Sequence, residues 1–247
     1  MTVTTALVLL AAGIGGGLAS TIASVVSYPI LLSLGLPPLS ANVTNTVSLV
    51  LTGVGSVLGS RSELAGQRAR VIRLGLVTAC GGGTGAAILL LAPASAFAYA
   101  VPVLIAGASL VLLIQPALRG LAPVPGAERS WTRHAAVFAV SVYTGYFGAA
   151  GGVLLLAALS TMLAQSLVRV NAVKNAIAGS ANGVAAILFT VFAPVHWSYV
   201  PLLAAGFLIG GYAGPRVIRR LPVQPLRLFI AAVGFALAVK LALSAYR

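Results

Sequence analysis

A chain of 247 residues that is 60% hydrophobic and 7% charged, with a mean hydropathy of +1.07, cannot coat a water-soluble domain with polar surface. That excludes a soluble fold and predicts a polytopic membrane protein. The net charge of +13, from 15 Lys and Arg against two acidic residues, fits the Lys/Arg excess of cytoplasmic loops better than a nucleic-acid footprint.

Read in chain order, Met1-Thr2-Val3-Thr4-Thr5 carries no positive n-region, and the apolar run continues to about Leu36 with no cleavage signal, so no removable signal peptide is expected. Residues 3–36 are too long for one span. They are interrupted by Gly13, Gly15, Gly16, Gly17 and Pro29, which predicts a hairpin of two short or broken helices. The ruler of about 20 apolar residues per span then gives spanning helices near 40–60, 72–92 and 95–115. A second broken hairpin is predicted over 135–166, interrupted by Gly145, Gly148, Gly151 and Gly152, followed by spans near 170–192, 198–216 and 227–246.

The basic loops fix an orientation. Arg61, Arg68, Arg70 and Arg73 form one group, Arg119, Arg129 and Arg133 a second, and Arg216, Arg219, Arg220 and Arg227 a third. All three are expected on the cytoplasmic side, whereas the uncharged connections near 93–95 and 193–197 are expected outside, with both chain ends.

Asn42-Val43-Thr44-Asn45 returns as Ala172-Val173-Lys174-Asn175, an offset of 175 − 45 = 130 residues. The same offset carries the basic loop 61–73 onto the uncharged 191–203, and the uncharged 93–95 onto the basic 216–227 region. Copies whose charged loops exchange places lie upside down relative to each other. The expected fold is therefore an all-α transmembrane helix bundle of two inverted-topology repeats, 1–116 and 134–247, each a broken-helix hairpin plus three spanning helices. A basic cytoplasmic linker, 117–133, with Pro123, Pro125 and Gly126, joins them.

Polar groups inside lipid cost several kcal/mol each when unpaired, so a polar motif that recurs in apolar spans suggests a use. The only acidic residues, Glu63 and Glu128, lie in basic loops, which leaves no intramembrane carboxylate for a proton relay or a cation. The intramembrane set is cationic or neutral. With the positive dipole ends of broken helices, it suits a small oxyanion. The candidate substrate-binding residues are Asn42, Thr44, Asn45, Asn171, Lys174 and Asn175, the hairpin amides at Gly151 and Gly152, and the hydroxyl of Tyr28. Competing readings are that Lys174 snorkels to the cytoplasmic interface, that Asn42 and Asn45 cap a helix beginning near Ser40, and that Tyr28 is a packing aromatic.

Other features carry less. Cys80 is the only cysteine, so neither an intrachain disulfide nor a thiolate metal cluster is available, and no metal or cofactor is expected. Gly81-Gly82-Gly83-Thr84-Gly85 resembles a phosphate loop but sits in an apolar span without a following Lys, so helix packing is expected. Gly55 with Gly59, and Gly206 with Gly210 and Gly214, are small-residue faces that could pack within the chain or form a homodimer. No nucleophile, base and orienter combination points to an enzyme.

The glycine-broken hairpin with Ser27-Tyr28-Pro29-Ile30-Leu31-Leu32, then Leu34-Gly35-Leu36-Pro37-Pro38 and Ala41-Asn42-Val43-Thr44-Asn45-Thr46, resembles the first half of the TauE/SafE family of sulfite and organosulfonate exporters. Gly145-Tyr146-Phe147-Gly148-Ala149-Ala150-Gly151-Gly152 and Arg169-Val170-Asn171-Ala172-Val173-Lys174-Asn175 resemble its second half. The resemblance implies a bacterial inner-membrane permease moving sulfite, thiosulfate, sulfoacetate or a related sulfur oxyanion, often outward. One departure is Ser20-Thr21-Ile22-Ala23-Ser24, where members commonly carry consecutive glycines. The expected function is transport by alternating access, with a small anion and the lipid bilayer as partners; an anion channel or a non-transporting scaffold subunit are the alternatives.

Overall fold

The computed structural model describes residues 2–18, 20, 23–119, 130–217 and 223–245. Thr21, Ile22, most of the expected linker (120–129, with Glu128 and Arg129) and Arg219 and Arg220 lie outside the described residues. Eleven helices make up the described chain, with no strand among them: α1 (Val3–Leu18), α2 (Ala23–Ser33), α3 (Pro38–Gly59), α4 (Arg61–Leu64), α5 (Arg68–Leu91), α6 (Ala94–Arg119), α7 (Trp131–Tyr146), α8 (Gly151–Met162), α9 (Leu167–Phe192), α10 (Val200–Val217) and α11 (Val223–Ala245).

Both broken hairpins form, as α1–α2 and α7–α8, and the six expected spans correspond to α3, α5, α6, α9, α10 and α11. Four stretches are long and apolar enough to cross a membrane: Pro38–Gly59, Arg68–Leu91, Ser95–Ile114 and Leu167–Phe192. The apolar cores described for α10 and α11 are shorter, Val200–Gly214 and Ala231–Leu243. The four-residue α4 had no sequence signal, because one turn is too short to display a period.

Pro37 and Pro38 start α3, with proline in its first turn where the missing N–H costs nothing. Asn42 and Asn45 therefore lie inside the helix and do not cap it. The turn between α7 and α8 needs left-handed backbone at Gly148 (φ 79°) and at Ala150 (φ 58°), and a non-glycine residue there costs about 1 kcal/mol or more. The Tyr143 hydroxyl holds this turn by donating to the Ala149 carbonyl at 2.8 Å.

Packing exchanges helices between the halves. α1 and α3 lie against α10, α7 and α9 lie against α5, α3 crosses α9, and α6 pairs with α11. Glycine makes these approaches possible. A Cβ added to Gly17 would fall 2.7 Å from the Gly211 nitrogen, and one added to Gly145 would collide with the Gly82 carbonyl oxygen. Gly55, Gly59, Gly206, Gly210 and Gly214 are all consumed in such contacts between α1, α3 and α10, so these small-residue faces pack within the chain. Gly81, Gly82 and Gly85 serve the same purpose in α5 against α7 and α9, as expected of a packing array.

Two contacts show which ends meet. Near the start of α3, Ser40 donates to the Pro194 carbonyl at 2.8 Å and Thr44 Oγ1 accepts from the His196 N–H at 2.9 Å. Near the start of α9, Arg169 donates to the Ala65 carbonyl at 3.0 Å, just after α4.

Candidate functional site

The tips of both hairpins meet the middle of α3 and α9 around one cavity of about 50 Å³. The first tip contributes Ser20, Ala23 and Ser24, and the second contributes Thr144, Gly148, Ala150 and Gly152. Leu49, Thr52, Gly53 and Ser56 recur at the three- and four-residue spacing of one α3 face, and Lys174, Asn175, Ala178, Gly179 and Asn182 do the same on α9. α2 and α8 both begin at this cavity, which brings the positive ends of two helix dipoles to it.

Lys174 is seven residues inside α9, about 10 Å from its start at 1.5 Å per residue. Its side chain is 1% exposed and lines the cavity, so it does not snorkel to the interface. Beside it, Ser20 donates its hydroxyl to Asn175 Oδ1 at 3.1 Å, which leaves Asn175 Nδ2 without a hydrogen-bond partner in the protein. Thr52 Oγ1 and Ser56 Oγ are buried and also make no hydrogen bond. A buried polar group left unsatisfied costs about 1–3 kcal/mol. Three of the six such atoms among the described side chains converge here. No acidic residue is among the described residues that line the cavity.

The first copy of the motif has a different employment. Asn42 Nδ2 donates to the Tyr146 carbonyl at 3.0 Å, tying α3 to the end of α7. Thr44 accepts from the His196 N–H, as above, and Asn45 Oδ1 accepts from the Ser27 hydroxyl at 2.6 Å, tying α3 to α2. Asn42, Thr44 and Asn45 are buried but do not line the cavity. Tyr28 reaches the Pro38 carbonyl at 3.4 Å and packs edge-on against Phe147, with ring centroids 5.2 Å apart; it too is outside the cavity lining. Asn171 is half-buried one turn from Lys174, and is likewise not in the lining. Gly152 lines the cavity, whereas Gly151 is packed so closely on Thr144 that a Cβ would strike its hydroxyl.

Of the expected site residues, then, the structure brings Lys174, Asn175 and Gly152 together. It adds Thr52, Ser56, Thr144 and Asn182, and it brings in Ser20 and Ser24 from the segment where glycines were expected. A signal for one of them was present: the 130-residue offset carries Thr52 onto Asn182, since 52 + 130 = 182, and both line the cavity. No group of three or more His, Cys, Asp or Glu gathers among the described residues.

No curated protein and no solved structure matches the chain. The model of the sulfite exporter TauE/SafE family matches residues 5–241, which is nearly the whole sequence and includes both hairpins and the cavity between them. The chain therefore belongs to the sulfite exporter TauE/SafE family of membrane transporters.

Proposed function

We propose that this protein carries a small sulfur-containing oxyanion, such as sulfite or thiosulfate, across the bacterial inner membrane, bound between the two hairpin tips. One observation carries the reading: three buried polar atoms that make no hydrogen bond in the protein, Asn175 Nδ2, Thr52 Oγ1 and Ser56 Oγ, belong to the lining of the same cavity as the buried Lys174, with no carboxylate among its described lining residues. Leaving buried amide and hydroxyl groups unpaired is costly unless a ligand completes them, and a neighbouring ammonium favours an anionic one. A site of about 50 Å³ holds about four water-sized atoms at 10–15 Å³ each, which is the scale of an inorganic oxyanion.

Alternating access by rocking of inverted halves is the mechanism we infer. The exchange of packing partners supports it, since the pairs α1–α10, α3–α10 and α2–α3 have counterparts in α7–α5, α9–α5 and α8–α9. So does the meeting of the α3 start with the uncharged 193–199 connection while the α9 start meets the basic segment after α4. Under the positive-inside rule the basic loops are cytoplasmic.

The test is flux of labelled sulfite into proteoliposomes that contain only the purified chain. Saturable uptake with counterflow is expected. Non-saturating currents would make the protein an anion channel, and the absence of any flux would leave it a scaffold subunit.

A further inference from the structure

Among the described residues that line it, the cavity carries one formal positive charge. Lys174 brings an ammonium, while Ser20, Ser24, Thr52, Ser56 and Thr144 bring neutral hydroxyls and Asn175 and Asn182 neutral amides. The dipoles of α2 and α8 bias the same place toward negative charge, but a helix dipole has no net charge and leaves the count unchanged.

Titratable groups on the surrounding elements stay out of the lining. In the helices packed on α9, α4 carries Arg61 and Glu63, and α5 carries Arg68, Arg70, Arg73 and Cys80. α7 carries Arg133, His134, Tyr143 and Tyr146, whereas α3 and α8 carry none. On the other elements at the cavity, α2 has Tyr28 alone and α1 has none. None of these lines the cavity.

A buried charge is tolerated when it is matched. A singly charged anion forms a neutral pair with Lys174, while a doubly charged one leaves an excess negative charge buried with it. On the oxyanion reading above, we infer that the cavity selects the monoanionic form of its substrate, hydrogen sulfite over sulfite. The loaded site is then neutral as it moves between the two faces, and the proton travels on the substrate, with no carboxylate among the described lining residues to relay it.

Binding to the purified protein, followed by calorimetry across a pH range spanning the second ionisation of sulfite, tests this. Methanesulfonate, a monoanion throughout that range, serves as the control ligand. Above the second ionisation the apparent affinity for sulfite falls about tenfold per pH unit, as the competent fraction of ligand falls, while methanesulfonate affinity stays level. The fall persists in Lys174→Arg, whose guanidinium keeps its charge over this range. A sulfite affinity that is level or rises with pH would mean that the dianion is bound and would overturn the inference. So would a parallel fall for both ligands, or a fall that Lys174→Arg removes, because the titrating group would then belong to the protein. Failure of both ligands to bind at any pH would fall on the oxyanion reading itself and take the inference with it.

Discussion

Lys174→Met abolishes saturable oxyanion binding and flux while the protein still folds. Methionine nearly matches the length and volume of the lysine stem, so the packing of α9 survives, and the variant removes a charge that was costly to bury. What disappears is the one cation among the described residues of the cavity lining. Losing one partner of a buried charge pair costs about 3–5 kcal/mol, which corresponds to a loss of roughly a hundredfold to a few thousandfold in affinity. Thr52→Val and Ser56→Ala produce a graded version, each weakening binding by about 1 kcal/mol, roughly fivefold. Both hydroxyls lack partners in the ligand-free protein, so these two variants melt at the same temperature as the parent or higher. Thermal denaturation with and without ligand reads both quantities. A purely structural hydroxyl would move them in the same direction, and a ligand-binding one moves them apart.

Gly145→Val eliminates folded protein. At this position a Cβ alone would meet the Gly82 carbonyl oxygen, its carbon and its Cα, so the obstruction is backbone and cannot rotate away. α5 and α7 would have to separate along their whole contact, and the second hairpin, whose turn completes the cavity, would move with them. Overpacking in a core costs about 1–3 kcal/mol even where side chains can yield, so the loss here exceeds that range. Size-exclusion profiles of detergent extracts measure it directly. Gly15→Ala and Gly183→Ala are the matched controls, because nothing lies within 4 Å of an added Cβ at either. Each leaves folding intact and gains up to about 1 kcal/mol of helix propensity. Equal behaviour of Gly145→Val and these controls would contradict the packing.

The helices were legible because lipid imposes a simple ruler: the span expected at 40–60 is Pro38–Gly59, and that expected at 170–192 is Leu167–Phe192. The hairpins were legible from their glycines. The site was only half legible. The repeat offset pointed with equal force to Asn42-Val43-Thr44-Asn45 and to Ala172-Val173-Lys174-Asn175, and it cannot distinguish a copy that faces a cavity from one engaged in holding helices together. That distinction depends on Ser27, Tyr146 and His196, which arrive from other helices and loops. Thr52 and Ser56 escaped for a different reason. Hydroxyls within membrane helices usually return their hydrogen to the carbonyl four residues earlier, as Thr46, Ser48 and Ser109 do here. Nothing in the local sequence marks the two whose hydroxyls remain unpaired.

Selenite, a heavier analogue of sulfite, offers the most direct measurement of where an anion binds. Anomalous diffraction from crystals soaked at its selenium edge should give a peak inside the cavity, within hydrogen-bonding reach of Lys174 Nζ, Asn175 Nδ2 and the hydroxyls of Thr52 and Ser56. The same soak of Lys174→Met should lose it. An ordered selenium peak confined to the arginines of the 61–73 loop, with the cavity empty at saturating selenite, would contradict a site built between the hairpin tips.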